Sequence, residues 1–436
     1  MIAPGTGTEP AILHAIVAVS AAHRTNVRRR QGLPDVQDYF ALRQYTKAIR
    51  LLQPLLANAD RTSAMVVLVA CLLFTSLEYL RGQHKVAALH LQTGLRLLKE
   101  AHFERAEMVH GVLIIRPATY NRVTSSAIVQ GFASLHVQAD LFGNHIPDVS
   151  LILQVTDTEI PSPTFASLHE ARDSMDKLLH GIVLLAQRVR AAMNGVAAWS
   201  PTFVQSQNKA LSHLTRWRTT FENSRMESGL ENKSEAMTCS QLLNYHTMAT
   251  IMCESMFSAY ESTYLEHTDE FITIIERSID PWKYLTSPQH IEQSGIAVDI
   301  ASIPPLYYTA LKCRMPRIRA HAIRLLRSVP LKEGIWDPNV AASVAEKVKQ
   351  SEEQYYKGRI GLEHKFALDD VPFLSEWERT FTFPETALFH EIQVDLSNSR
   401  SVLLTCHKSE HHDKIIQRYR FDGERWHDVK LLEFSS

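Results

Sequence analysis

Three groups of residues carry chemistry by type and spacing. Cys406, His407, Glu410, His411, His412 and Asp413 crowd together near the end of the chain. These are metal-ligand types, but they equally suit a polar turn between two strands with histidines at its tip, and that turn is the expectation. A second group is basic. Seven bases (Lys312, Arg314, Arg317, Arg319, Arg324, Arg327 and Lys332) run from 312 to 332 with no acid among them. On a helix Arg317, Arg324 and Arg327 share one face, opposite Ile318, Ala322, Leu325 and Leu326. Such a row could meet phosphate or an acidic partner; the simpler expectation is a solvated face of a core helix. The third group is Glu78, a carboxylate in the most apolar segment. A buried carboxylate must be paired or protonated. Arg81, one helical turn on, is the natural partner, with a second partner expected from the 312–332 bases. The expectation is a structural clamp.

Enzymatic signatures are missing. There is no GxSxG, P-loop or HExxH, and His169–Glu170 and His390–Glu391 lack the second histidine. Gly5–Thr6–Gly7 is a GxG fragment with no strand before it. The five cysteines, Cys71, Cys239, Cys253, Cys313 and Cys406, form no CxxC pair. They read as reduced thiols, not as a disulfide framework or a zinc site. No catalytic residue, cofactor or metal is assigned to this chain.

The elements that must position these residues are mostly helical. Leu13, Ile16, Val17 and Ser20, then Tyr39, Leu42, Tyr45, Ile49 and Leu52, then Leu91, Leu95 and Leu98, repeat at helical spacing. Gly32–Pro34 and Gly82 interrupt them, giving about four helices in the first hundred residues. Residues 144–164, with Pro147, Pro161 and Pro163, read as an extended crossing segment. Helical spacing returns at Phe165–Met193 and Gln241–Tyr264, with Asn223–Ser234 between them as a polar loop. Pro304–Pro305 marks another helix start. Past about residue 388 the pattern alternates: Ile392, Val394 and Leu396, then Ser401–Cys406, Ile415–Phe421 and Val429–Phe434, with Asp422–Gly423 as a turn. The expected architecture is mainly α: a large helical bundle over 1–388, with a small antiparallel β hairpin or meander over 389–436 packed on it.

Composition agrees. Forty-six Lys+Arg balance 47 Asp+Glu, so the strongly basic balance of a nucleic-acid-binding domain is absent. A hydrophobic content of 45% is too high for a disordered chain, and the 16 Gly and 18 Pro are too few for a loop-rich β fold. Thr62–Leu77 is the longest apolar stretch. It falls short of the roughly 20 residues of a membrane span and reads as a core helix. Ala11–Ala22 lacks the positive start of a secretory signal.

Short pieces of sequence then point further. They are Ala11–Ala15 with Ala21–Arg24; Tyr45–Ile49 with Leu51–Leu52; Leu68–Phe74 with Leu77–Glu78 and Leu80–Gly82; and His90–Leu91 with Gly94 and Leu97–Leu98. Leu135, Gln138–Ala139, Phe142–Gly143, Phe165–Leu168 and Glu170–Arg172 follow in order. The most specific is Ile303–Arg314, running on through Ile318–Arg319, Ala322–Ile323 and Leu325–Leu326 to Glu333–Asp337. This series resembles the regulatory region of fungal zinc-cluster transcription factors over about residues 10–435. The resemblance implies a nuclear regulator of metabolic or secondary-metabolite genes. It implies protein partners, with room for a homodimer and for a small-molecule effector. In full-length members a six-cysteine zinc cluster precedes this region. Here the first cysteine is Cys71, in an apolar helix. Zinc is therefore expected only in members that carry the cluster, and DNA contact only indirectly or through a missing N-terminal cluster. Glu78, Arg81, Arg314, Arg317, Arg324 and Arg327 are the candidate structural or partner-binding residues. Met248, Met252 and Met256 suit an adaptable apolar core or groove. Two alternatives stay open: a helical-repeat scaffold, and a helical enzyme of a biosynthetic cluster.

Overall fold

The computed structural model describes residues 9–30, 38–56, 61–101, 106–109, 112–115, 123–144, 151–153, 163–195, 197–228, 233–286, 302–329, 332–354, 367–372, 374, 382–396, 398, 401–410 and 413–429. The chain opens with α1 (Pro10–Arg30), α2 (Asp38–Leu56), α3 (Arg61–Leu80) and α4 (His84–Ala101). α1 packs on α2 and α3 through small residues: Ala18, Ala21 and Ala22 meet Ala41 and Leu77. α3 is the most apolar helix. Its length and composition would let it cross a bilayer, but Leu68, Ala70 and Leu77 are buried inside the protein. It ends where Gly82 turns left-handed at φ 71° and Gln83 N–H bonds back to the Glu78 carbonyl at 2.8 Å.

α5 (Val123–Phe142) crosses next. Gly94 of α4 makes that crossing tight, since a Cβ there would lie 2.2 Å from the Phe132 ring. β1 (Ala106–Val109) and β2 (Val112–Ile115) form a hairpin, and β3 (Leu151–Leu153) pairs parallel to β2. Nothing in the periodicity announced the hairpin; β3 lies in the segment expected to be extended.

α6 (Leu168–Met193), α7 (Thr202–Ser228) and α8 (Lys233–Ser255) form a second body around Trp217, Phe221, Met248 and Cys253. The polar loop expected at Asn223–Ser234 is a correction. α7 continues to Ser228, because its polar residues work as clamps. Ser224 Oγ accepts from Phe165 N–H at 2.8 Å, and Asn223 donates to the Pro163 carbonyl at 3.3 Å. α9 (Thr268–Leu285), α10 (Ile303–Lys312), α11 (Pro316–Ser328) and α12 (Pro338–Glu353) join the main core. Prolines occupy the first turns of the last three, where a missing N–H is no loss.

β4 (Glu391–Asp395), β5 (Val402–Glu410), β6 (Asp413–Phe421) and β7 (Trp426–Asp428) form an antiparallel meander in sequence order. Its inner face, with Val394, Leu404, Cys406 and Tyr419, belongs to the same core as the helices. β7 comes earlier than the strand expected at Val429–Phe434; residues 430–436 lie outside the described set. The sheet docks against the end of α5, where Val394 N–H bonds to the Gly143 carbonyl at 2.9 Å. Gly143 has φ 85°, and a Cβ there would stand 2.8 Å from the Ile392 carbonyl oxygen. Only glycine fits both conditions.

Candidate functional site

The residues singled out by sequence fall into two ionic networks. In the first, Arg81 Nη1 lies 3.0 and 2.8 Å from the two oxygens of Glu78. Glu78 is buried, while Arg81 reaches the rim. The second group acting on Glu78 is not one of the 312–332 bases: it is the Tyr45 hydroxyl of α2, which favours the charged carboxylate. Tyr45 Oη also sits 2.8 Å from His90 Nε2. Burial pushes the Glu78 carboxyl up, and Arg81 and Tyr45 oppose it. The chain Arg81–Glu78–Tyr45–His90 thus ties α2, α3 and α4 together.

The second network corrects the view of 312–332 as a solvated face. Arg327 is exposed and Arg317 and Arg324 are half-buried, but Lys312, Arg314 and Arg319 are buried. Glu261, in the short 3-10 turn Glu261–Leu265, takes Lys312 Nζ at 2.8 Å and Arg314 Nη2 at 2.7 Å. Arg314 Nη1 reaches Glu352 at 3.4 Å. Arg319 Nη1 pairs with the other Glu352 oxygen at 2.6 Å, while its Nε donates to the Ala310 carbonyl at 2.8 Å. Glu352 also accepts from Phe389 N–H at 2.9 Å. Glu385 in turn accepts the N–H groups of Glu261 and Ser262. Burial alone would push Glu261 up; Lys312 and Arg314 outweigh it and hold the carboxyl below its ordinary range. Burial likewise disfavours the Arg314 charge, and Glu352 and Glu261 more than compensate.

This second network joins α10, α11 and α12 to the segment entering the sheet. The pieces of sequence that carried the resemblance meet beside it. Phe142, Tyr307 and Trp336 form an aromatic trio with centroids 4.9–5.4 Å apart. Glu333 accepts from Ser302 and Ile303 N–H at 3.2 and 3.3 Å, at the start of α10. Burial pushes its carboxyl up to about 8, against those two bonds and Arg172.

Chemistry on a substrate needs reactive groups facing a space. A cleft between α5, α6 and α8 gathers Gln138, Arg172, Asp176 and Tyr245, and burial pushes Asp176 up to about 6. Its interior is only about 40 Å³, against the roughly 300–1,000 Å³ of a metabolite pocket. A groove of about 470 Å³ beside α9 sets Asp269 and Glu276 among Ile272, Val371 and Leu374, with no base lining it among the described residues. All five cysteines are buried, and burial pushes Cys71 and Cys313 up to about 11 and Cys253 to about 12, away from the reactive thiolate. Among the described residues no group of His, Cys, Asp and Glu could hold a metal. Cys406 belongs to the core, away from the β5–β6 tip; His411 and His412 at that tip lie outside the described set.

Residues 1–280 match the model of the fungal specific transcription factor domain. The chain belongs to this family. The match takes in α1–α8 and most of α9. It stops short of Ile303–Asp337, the stretch whose resemblance looked most specific. Among curated proteins the chain is similar to the aspercryptin biosynthesis cluster-specific transcription regulator atnN of Emericella nidulans, at 23% identity over 453 residues, covering 79% of this chain and 68% of the relative. No solved structure matches. The protein is a fungal transcriptional regulator.

Proposed function

We propose that this domain works in the nucleus as a non-catalytic platform that controls secondary-metabolite genes through protein partners. The observation that carries this reading is the family match over residues 1–280, joined to a relative whose name assigns it to a biosynthetic cluster. The side chains support it. The strongest charged groups pair with one another inside the protein, and the cleft of Gln138, Arg172, Asp176 and Tyr245 has room for about one water molecule. DNA is reached through another chain or another segment. A helical-repeat scaffold is disfavoured, because helices of unequal length converge on shared cores in place of a regular stack.

The test is a reporter in a fungal host. Fused to an unrelated DNA-binding domain, the chain should change transcription several-fold in either direction. A fusion that reaches the nucleus and leaves the reporter unmoved, with purified protein turning over a metabolite, would replace this reading with the enzyme.

A further inference from the structure

The outer side of α2 and α4 carries an unusual surface. Of the sixteen exposed large apolar side chains among the described residues six are on α2 and two on α4, and of these Leu42, Ile49 and Leu56 share one side of α2 while Phe40 and Leu51 fall on the other. Single exposed apolar residues are ordinary; contiguous ones mark a binding surface. Both helices pack on α3, and the Tyr45–His90 bond reaches from one to the other. On α2, Leu42 and Ile49 lie next to Tyr45 on the solvent side, at one heptad spacing. On α4, Val86 lies outward of His90, and Leu89 further out. Leu42, Ile49 and Val86 are each 37% exposed and Leu89 is 57% exposed. Helical phase therefore sets Leu42 and Ile49 of α2 and Val86 of α4 on the solvent side of the Tyr45–His90 floor, with Leu89 at the outward pole of α4.

Both rims of this groove are positive. Arg43, Lys47 and Arg50 follow Leu42 and Ile49 around α2, and Lys85 and Arg96 follow Leu89 around α4; all five are exposed. No Asp or Glu occurs between Tyr39 and Leu56 or between His84 and Leu98. The bias is local, since the chain as a whole carries a formal charge of −1.

We propose that the α2–α4 groove docks an acidic amphipathic helix of another protein. This deepens the platform reading above and rests on it. Apolar sides between two positive rims match a helix with one apolar stripe and carboxylates on either side. Charge complementarity also selects against a second copy of the chain. A two-fold contact through this face would set the same five cations against themselves, and like charges across an interface are repelled.

The probe is a fluorescein-labelled, side-chain-stapled peptide of about 18 residues, long enough to hold a helix, with leucines on one face and glutamates beside them. A twin carries lysine for each glutamate. Fluorescence anisotropy with the purified chain should show the acidic peptide binding and the lysine twin not. Affinity should fall at least about tenfold for Lys47→Glu with Arg50→Glu, and again for Ile49→Glu. It should also weaken as salt rises from about 50 to 300 mM. These are surface positions; melting curves matching the parent confirm that each variant is folded, and Arg50→Gln is the milder substitute. Equal binding of both peptides, binding of neither, or charge-reversed variants that bind unchanged would overturn the proposal. So would sedimentation showing a dimer that Ile49→Glu dissolves, which makes the occupant a second copy. Binding to phosphatidylserine vesicles with no peptide binding would make it a membrane surface instead. In the reporter, a fusion that is active and insensitive to the groove variants removes the groove and keeps the platform. A fusion inactive in every form, with intact peptide binding, removes the platform reading alone.

Discussion

Glu352→Gln is the sharpest test of how the sheet is held. Glu352 is wholly buried, with Arg319 at 2.6 Å, Arg314 at 3.4 Å and the Phe389 amide at 2.9 Å. Glutamine keeps an oxygen for Phe389 and nearly the same shape, but it removes the charge and turns an N–H donor toward Arg319. Arg314 still has Glu261 at 2.7 Å, but Arg319 is left with Glu353 at 4.0 Å as its nearest carboxylate. Breaking a buried pair from one side costs about 3–5 kcal/mol, because the remaining charge has already lost its water. That is a large share of the roughly 5–15 kcal/mol by which domains are stable. Urea denaturation of the purified chain should show the loss as a lower midpoint. Glu352→Met combined with Arg319→Met should recover part of it, since a buried pair replaced by apolar groups of similar size is close to neutral, while the Phe389 amide stays without its acceptor. Glu352→Ala should in addition speed hydrogen exchange at the Phe389 amide, which then loses its acceptor. An unfolding free energy for Glu352→Gln within about 0.5 kcal/mol of the parent would refute the argument.

Other predictions follow from the same contacts. Gly94→Ala drives a methyl group into the Phe132 ring and should cost about 1–3 kcal/mol by overpacking, read as a lower urea midpoint; an unchanged midpoint would mean that α4 and α5 separate freely. The Glu333 carboxyl, raised to about 8, keeps a proton in the folded state that the unfolded chain has lost. Stability should therefore fall as pH rises from about 4.5 to 8, and Glu333→Gln should flatten that slope. His84 and His246 are pushed down to about 4 by burial, so the unfolded chain binds protons first and stability should fall as pH drops from about 6.5 to 4. His246→Gln should lessen that acid loss, measured against the Glu333→Gln slope of opposite sign. Glu261, held below its ordinary value, adds a contribution lost only at still lower pH, as the carboxylate takes its proton.

Much of the fold could be read because helical burial leaves a periodic mark. Leu91, Leu95 and Leu98 repeat at the helix period because one face is buried, whereas in the stripe Tyr39, Leu42, Tyr45, Ile49 and Leu52 only Leu52 is buried, Tyr45 is half-buried and Tyr39, Leu42 and Ile49 face solvent. The alternation at the end of the chain exposed the meander for the same reason, with a period of two. The β1–β2 hairpin left no such mark: each strand has four residues, too few for a period to stand out. The end of α7 was obscured for a different reason. Asn223 and Ser224 look like loop residues by composition, yet their hydrogen bonds to Pro163 and Phe165 give polar side chains a reason to be helical.

The charged network was more legible than the basic count suggested. Treated as one surface, the run from 312 to 332 hides its important member. On the helical wheel of α11, Arg319 does not stand with Arg317, Arg324 and Arg327. It falls between Leu326 and Ile323, on the apolar face, and is fully buried. A base embedded in an apolar stripe calls for a carboxylate embedded in another. α12 supplies it: Ala341, Ala345, Val348 and Glu352 continue one buried stripe in steps of three and four. Neither stripe names its partner, because the pairing is set by how α11 and α12 pack and not by either sequence alone. What each does show is a charge where water is excluded, and such a charge survives only if the fold brings it an opposite one. The exposed bases of α2 and α4 present the reverse case: they sit beside apolar residues that the fold leaves uncovered, and the docking argument starts from that difference.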